Sequence, residues 1–522
     1  MRRAWGRWSA GALAFLICGA SPWLGPAAAQ MEQPKRGGTL RAAMIGEPPS
    51  LDLHWTTATI TQQVTWHFYE TLFTLDAKFQ PIPHLAEGYE AMDGAKRYLI
   101  RLRKGVKFHN GKEMTAADVV ASLQRWGRVA TPGKATFQTV ETVEAKGPSA
   151  IEVRLKEPSA VLIMALAIPG SAAVIYPKEV IEATGDGQLK QFIGTGPFKF
   201  VEHKPDRHIK VVRFDEYAAR PEAPNGYGGR RTAYVDEILF IPVPDVAVRL
   251  AGAETGEYHF AQQIKQDQYD RVKAMPALEP SINKPGNWAT AVFNMKQGLF
   301  TDKRLRQAFH AALDKEPIME AAFGHAEFYR LDPGISFREQ AWFSTVGAER
   351  FNERDKDKAR RLLKEAGYQG QPVRWITTRE YEWMYKIALV SKQQLEEVGF
   401  KIDLQVLDWA TLVQRGNKPE VYDVFSTGFT MAFEPSLGAS VQCNWPGWWC
   451  TPEKEQLLQA MMREPDFKAR YALWEKVQAL FWEEMPRVKY GDSFSLDVKR
   501  KELKGFRTTP HLFFWNAWLD KR

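Results

Sequence analysis

An α/β fold is what the sequence predicts, and three observations carry it. Helical and strand-like segments alternate along the chain, with no internal repeat and no low-complexity tract. The later part runs helix, strand, helix in the manner of βαβ units. The stretches 197–214 and 232–243, by contrast, are richer in strand formers, with Gly- and Pro-containing turns between them.

The elements follow in chain order. Gly38–Met44 (GTLRAAM) is an extended start that leads into the turn Glu47-Pro48-Pro49-Ser50. Residues 97–103 (RYLIRLR) alternate as a strand, and Asn110-Gly111 makes a tight turn. Thr115 caps the next helix (DVVASLQRW), and Asp118 completes a capping box beside the positive helix end. The stretch RPEAPNGYGGRR (220–231) reads as a surface connection, with an anion site as the alternative. Between 300 and 323 the residues Leu305, Ala308, Phe309, Ala312 and Leu313 share one helical face. Ala359, Leu362, Leu363 and Ala366 do the same, and Gly367 supplies a left-handed stop. A helix over roughly 383–398 ends at Gly399, and the strand 401–407 (KIDLQVL) follows. After VYDVFSTGF (421–429) come a cysteine loop and helices near 453–463 and 467–484, the last closed by Pro486.

The first thirty residues read as an export signal. Arg2, Arg3 and Arg7 form a basic start, Ala10–Gly19 an apolar core, and Ala27-Ala28-Ala29 a cleavage site before Gln30. A lipoprotein site at Cys18 is the rival, and bulky Ile17 argues against it. No later apolar run reaches 18 residues, so the expectation is a soluble protein of the periplasm. The formal net charge of +8 falls once the three signal arginines leave, and charges of both signs are interspersed, which excludes a nucleic-acid stripe.

Export also removes Cys18, leaving Cys443 and Cys450 in the loop CNWPGWWC. Two cysteines in an oxidising compartment most economically pair with each other. A redox pair would want a two-residue spacer, and a zinc site would want four ligands.

Enzyme signatures are missing. Gly105 to Gly111-Lys112-Glu113 has the wrong spacing and lacks the hydroxyl of a phosphate loop, and Gly194-Thr195-Gly196 runs into Pro197. There is no Gly-x-Ser-x-Gly elbow, and the ten histidines are scattered. The expectation is therefore a binder, not an enzyme, with no cofactor and no metal. Its 12% aromatic content suits a ligand pocket.

The run 69–123 resembles the signature region of solute-binding proteins of peptide-, opine- and nickel-type ABC importers. Its markers are Tyr69-Glu70-x-Leu72, Leu85-Ala86-Glu87, the Leu-Arg-x-Gly-Val-x-Phe-x-x-Gly of 102–111 and Thr-Ala-x-Asp-Val at 115–119. Further matches are GTGPFKF (194–200), FNMKQGLFTDKRLRQAFHAALDKEPI (293–318), DKARRLLKEAGY (357–368) and RYALWEKVQALFWEEMPRVKY (470–490). The resemblance implies a two-lobed periplasmic-binding-protein fold of the type II, cluster C kind that closes on its ligand. After a signal at 1–29, it implies a discontinuous lobe I from 30–72, 190–285 and 491–522. It places an inserted extra domain at 73–189, lobe II at 286–490, and a hinge of two crossing segments. The 102–119 block then builds the extra domain without touching ligand.

The same resemblance implies the site and the partners. Relatives that bind dipeptides hold the ligand ammonium with an Asp in a Gly-Trp-x-x-Asp stretch. Here that stretch reads Gly428-Phe429-Thr430-Met431-Ala432, and Glu434 is the nearest substitute. Arg379, in TTREYEW (377–383), falls within one position of the family's carboxylate-binding Arg, and its planar fork suits a carboxylate. Trp55 and Thr56, Asn287 and Trp288, and Trp409 occupy positions that line the cleft in relatives. The family also carries a disulfide loop after the Gly-Trp/Phe stretch, which pairs Cys443 with Cys450 and sets Trp445 at the rim. The implied partners are a small peptide or peptide-like solute and an inner-membrane ABC permease with its ATPase subunits, the binder being a monomer. The alternatives are an opine, a sugar, an aromatic acid or a metal chelate on the same fold, or an exported hydrolase.

Overall fold

Two unusually long strands organise the molecule. Leu278–Phe293 and Arg487–Arg500 have 16 and 14 residues, against about 5–6 for an ordinary strand, and they pair antiparallel along their length. The computed structural model describes residues 33–520. The export segment, with Cys18 and the cleavage site before Gln30, lies outside the described residues.

The long strands join two half-sheets into one sheet of eleven strands. On one side stand Val424–Thr430, Pro372–Thr377 and Lys401–Val406, with the middle strand parallel to both neighbours. On the other stand Phe260–Ile264, Thr39–Met44 and Glu237–Pro242, parallel to one another, and then the hairpin His208–Arg213 with Phe198–Lys204. The βαβ order expected from the sequence is present, but the sheet is mixed, because the two crossing strands traverse it in opposite directions. The borders expected at 285/286 and 490/491 fall inside these strands.

The crossing strands change register at their middle. Asn283 pairs with Ser495 and Asn287 with Ser493, so Lys284, Pro285 and Gly286 bulge opposite Phe494 alone. Only glycine fits at 286, since a Cβ there would stand 2.1 Å from the Ser493 carbonyl oxygen.

Each half-sheet packs by the rules of its sequence. One face of the second half is covered by the helices Lys303–Ala312, Lys356–Glu365 and Glu382–Val398, burying Phe293, Phe309 and Trp375. Gly367 and Gly399 end the latter two helices in left-handed conformation, as the spacing predicts. The face spanned by 300–323 is two helices, not one. Leu313 is extended, and the Asp314 carboxylate accepts from the Glu316 amide to start the helix Lys315–Phe323. The other face is covered by Phe467–Glu484 and the cysteine loop over Trp288, Phe425 and Phe429.

A separate antiparallel sheet, Ala86–Met92, Arg97–Leu102, Ala150–Leu155 and Val140–Ala145, packs with the helix Ala116–Val129. The capping box holds: the Asp118 carboxylate accepts from the Thr115 amide at 2.9 Å. Arg231, at the end of the 220–231 stretch, points inward. It pairs with Glu70 at 3.2 Å and lies 4.3 Å from the Trp515 ring, which removes it from any surface anion site.

Candidate functional site

The carboxyl ends of parallel strands are where open α/β sheets place ligands, because several loops diverge there. Here the strand ending at Thr377 is followed by Thr378–Trp383, the strand ending at Val406 by Asp408-Trp409, and the strand ending at Thr430 by Met431–Glu434. On the opposite half-sheet, Ile264 is followed by Lys265 and Gln266, and Met44 by the segment that reaches Trp55 and Thr56.

Two of these ends, those that follow Thr377 and Ile264, meet at a cavity of about 310 Å³. Its walls are Gln266 from the first half, Phe323, Glu382 and Trp383 from the second, and Asn287, Ser493 and Phe494 from the bulge between them. A larger recess of about 870 Å³ shares Gln266, Phe323, Glu382 and Ser495 with it and extends to Asp267, His325 and Lys386. Phe323 and Trp383 stack at 5.9 Å to form an apolar wall. Beneath the recess Asp497 is buried, and burial pushes its carboxyl up to about 6 against the pull of the Gln263 amide.

Arg379 stands out electrostatically. It is exposed, forms no ion pair among the described residues, and donates from Nη2 to the Tyr385 hydroxyl at 2.9 Å. Its guanidinium lies 4.3 Å from the Tyr385 ring, which orients the fork without neutralising it. Next to it, Trp409 packs edge-on to exposed Tyr381 at 5.0 Å, and its amide donates to the Glu380 carboxylate at 3.1 Å. A free cation, two carboxylates (Glu380 and Glu382) and three aromatic rings thus share one rim.

Other residues expected at the site have different places. Trp55 is half exposed, whereas Thr56 accepts from the Ser171 hydroxyl through its backbone and is partly buried. Asn287 lines the cavity of about 310 Å³. Trp288 and Phe429 were expected to face ligand, and the structure turns both inward at 2% and 6% exposure, their rings 5.0 Å apart. They pair across adjacent strands on the face that the helix Phe467–Glu484 covers, so strand alternation points them away from solvent. Glu434 is no free anion: Arg470 binds its carboxylate at 2.5 Å in a buried pair. Met431 is half buried and lines a separate apolar pocket of about 460 Å³.

The cysteine loop is a stapled lid on the second half-sheet. Cys443 and Cys450 are bonded, with Cα atoms 4.6 Å apart. Trp445 packs on Phe429 at 4.8 Å, and the buried guanidinium of Arg487 lies 5.5 and 5.1 Å from the two rings. Burial lowers the affinity of that group for its proton to a pKa of about 9. Trp449 donates to the Glu484 carboxylate at 2.6 Å, and Trp448 stacks on Tyr422. All three tryptophans thereby engage in packing, with Trp445 half-buried against Phe429 and Arg487. Replacing both cysteines by alanine is expected to cost about 2.5 kcal/mol, the loop-closure entropy of eight residues. Urea denaturation of wild type and double variant checks it; equal stabilities would show the loop held by its tryptophans alone.

The residues that sequence reasoning missed are Gln266, Phe323, Trp383 and Ser493–Ser495. Trp383 and Tyr381 belong to the same stretch as Arg379, so proximity was a usable signal for those two. Among the described residues no group of three or more His, Cys, Asp or Glu side chains is placed to hold a metal ion, and no helix is long and apolar enough to cross a membrane.

With this geometry in view, the comparisons with known proteins are consistent. The model of the bacterial extracellular solute-binding proteins, family 5 (Middle), matches residues 80–441. The probable peptide ABC transporter periplasmic-binding protein of Sinorhizobium fredii is 28% identical over 485 residues, covering 88% of this chain and 90% of that protein. The glutathione-binding protein GsiB of Salmonella choleraesuis is 26% identical over 490 residues, covering 89% and 91%. The ABC transporter substrate-binding protein CtaP of Listeria monocytogenes superposes with a TM-score of 0.80 at 21% identity, over 93% of this chain and all of that one.

Proposed function

The chain belongs to the family 5 bacterial extracellular solute-binding proteins, and on that premise we propose that it captures a peptide or peptide-like solute between its two half-sheets and hands it to an ABC permease with its ATPase subunits. The observation that carries the ligand class is Arg379, a guanidinium with no carboxylate partner among the described residues, just beyond the carboxyl end of the strand Pro372–Thr377. A carboxylate of the solute would meet it bidentately, and Glu380 stands beside it for an ammonium, Glu382 being paired with Lys386 at 3.1 Å. Peptide- and glutathione-binding relatives support this reading. It takes the protein to be exported to the periplasm, to act as a monomer, and to bind without catalysis.

In this reading the segments 30–72, 190–285 and 491–522 form one lobe with 73–189 inserted into it, and 286–490 forms the other. The long strands and their bulge are the hinge. A solute favours the closed state only by the contacts that closure adds, and the cavity that takes residues from both half-sheets supplies them.

A second reading has a specific support. Ala432 stands where relatives place the ammonium-binding Asp, and Glu434 is spent on Arg470. A solute with a carboxylate but no free amine, such as an opine or an aromatic acid, fits those facts too.

Native mass spectrometry of the purified protein tests the proposal, followed by thermal shifts with a dipeptide and tripeptide panel and with N-acetylated counterparts. A bound peptide is expected, and one at a hundred times its dissociation constant adds about 2.7 kcal/mol of stability. Arg379→Glu is expected to weaken binding at least about tenfold, since a charge-assisted bond is replaced by repulsion. Retention of full affinity would remove Arg379 from the site, and shifts only with acetylated compounds would select the second reading. No retained solute and no shift with any of these compounds would sink the proposal.

A further inference from the structure

Where strand Val424–Thr430 ends, the chain enters a second cavity, of about 460 Å³, within the range of small-molecule sites. One wall is Met431, Phe433, Leu437 and Met462. The other wall comes from the inserted domain and includes Leu162 and Ala165. Two contacts span the walls: the Ala160 amide donates to the Met462 carbonyl at 2.8 Å, and Arg463 reaches Glu157 at 3.6 Å.

The charges around the cavity are already matched. Glu434 is bound by Arg470, and Glu157 by Arg463. A charged group entering here would be desolvated with no free partner, which is costly. An apolar group would lose only its own contact with water, to its advantage. Leu437 meanwhile remains 50% exposed at this cavity, apolar surface that an occupant would cover.

We propose that this cavity is a specificity subsite for an uncharged apolar portion of the solute, a branched aliphatic or aromatic side chain or an acyl chain. The proposal rests on the reading of the strand ends as the solute site, because Met431 follows directly from that end. It adds that the inserted domain contributes one wall of the site. An occupant touching both walls then stabilises their apposition as well as its own binding.

The test uses the full exported protein and an uncharged naphthyl probe, N-phenyl-1-naphthylamine, followed by fluorescence. Saturable binding near one per protein is expected, weakened about tenfold or more by Leu437→Glu and by Ala165→Glu, each of which puts a charge into an apolar wall. Both positions retain some exposure, so both variants should fold, which circular dichroism verifies. Arg379→Glu is expected to leave probe binding unchanged, so a failure of the carboxylate site reads separately from a failure of this one. In a second arm, trileucine is expected to raise the melting temperature more than triserine, and Leu437→Glu to erase the difference. No saturable probe binding, wild-type probe affinity in both variants, or a leucine preference that survives Leu437→Glu would each overturn the proposal.

Discussion

Replacing Asp52 by alanine is expected to destabilise the protein by about 3–5 kcal/mol, the cost of leaving a buried charge without its partner. Asp52 and Arg125 are both fully buried, and the guanidinium meets the carboxylate through two bonds of 3.1 and 2.6 Å. The carboxylate also accepts from the Leu189 and His54 amides and the Tyr176 hydroxyl. Burial pushes its pKa up, but Arg125 and the other donors overcome that push and hold it below the usual carboxylate value. The pair is therefore charged at neutral pH and satisfied on every side. It also fastens the turn that carries Trp55 to the helix Ala116–Val129. Guanidinium-chloride unfolding of Asp52→Ala measures the effect. A loss under 1 kcal/mol would mean that water reaches Arg125 once its partner is gone. Asp52→Asn keeps the shape but not the charge, and should lie between variant and wild type.

Much of this framework was legible because local chemistry announced it. Thr115 with Asp118, Gly367 and Gly399 mark helix ends wherever they occur in such patterns, and each does so here. The two crossing strands were not legible. Lys284-Pro285-Gly286 is a bulge within a single strand, standing opposite Phe494 alone. Arg487, Lys489 and Asp492 gave the second strand a polar look, although all three are buried. Lys489 and Asp492 pair with each other at 2.8 Å, and Arg487 lies against the Phe429 and Trp445 rings, none of which a hydropathy pattern reports.

The site was legible in part, for the same reason. Arg379 follows a strand end, and although Glu380 and Glu382 are close in sequence it forms no ion pair among the described residues. Glu434 looked equally free, but its partner Arg470 is 36 residues away on another helix. Trp288 and Phe429 show the limit of residue type as a guide: an aromatic at a strand end faces cleft or core according to register, and one step of register reverses it. Gln266 and Ser495 carry no signal at all, since only the packing of two half-sheets brings them to Trp383.

Lowering the pH from 7 to 5 is expected to remove about 6 kcal/mol of stability through three histidines. His54, His67 and His84 are fully buried, and burial holds them down at about 3, about 3 and about 4. In the unfolded chain each titrates near 6.5. The unfolded state thus binds more protons through this window, and stability present above 6.5 is lost as the pH falls towards the folded values, at about 2 kcal/mol for each histidine by pH 5. His67 shows why the proton is refused. Its Nε2 accepts from the Phe514 amide at 2.9 Å while Nδ1 lies 3.2 Å from the Val64 carbonyl, so a proton on Nε2 would set two donors face to face. Other groups do not reverse the sign, and burial holds His109 and His511 down at about 4 and His310 well below its ordinary value, which adds to the loss. Against the upward push of burial, His84 and Arg231 hold Glu70 at about 2, so it keeps its charge at pH 5. Asp497, raised to about 6, works the other way: its contribution is present below the unfolded value and lost as pH rises through 6, returning only about 1 kcal/mol at pH 5. The loss of about 5 kcal/mol from these three histidines and Asp497 alone is comparable with the whole stability of an ordinary domain, about 5–15 kcal/mol. Urea unfolding at pH 7, 6 and 5 should therefore show the midpoint falling steeply. An unchanged midpoint would mean that these imidazoles are charged in the folded protein, and that the Phe514 bond is not made as described.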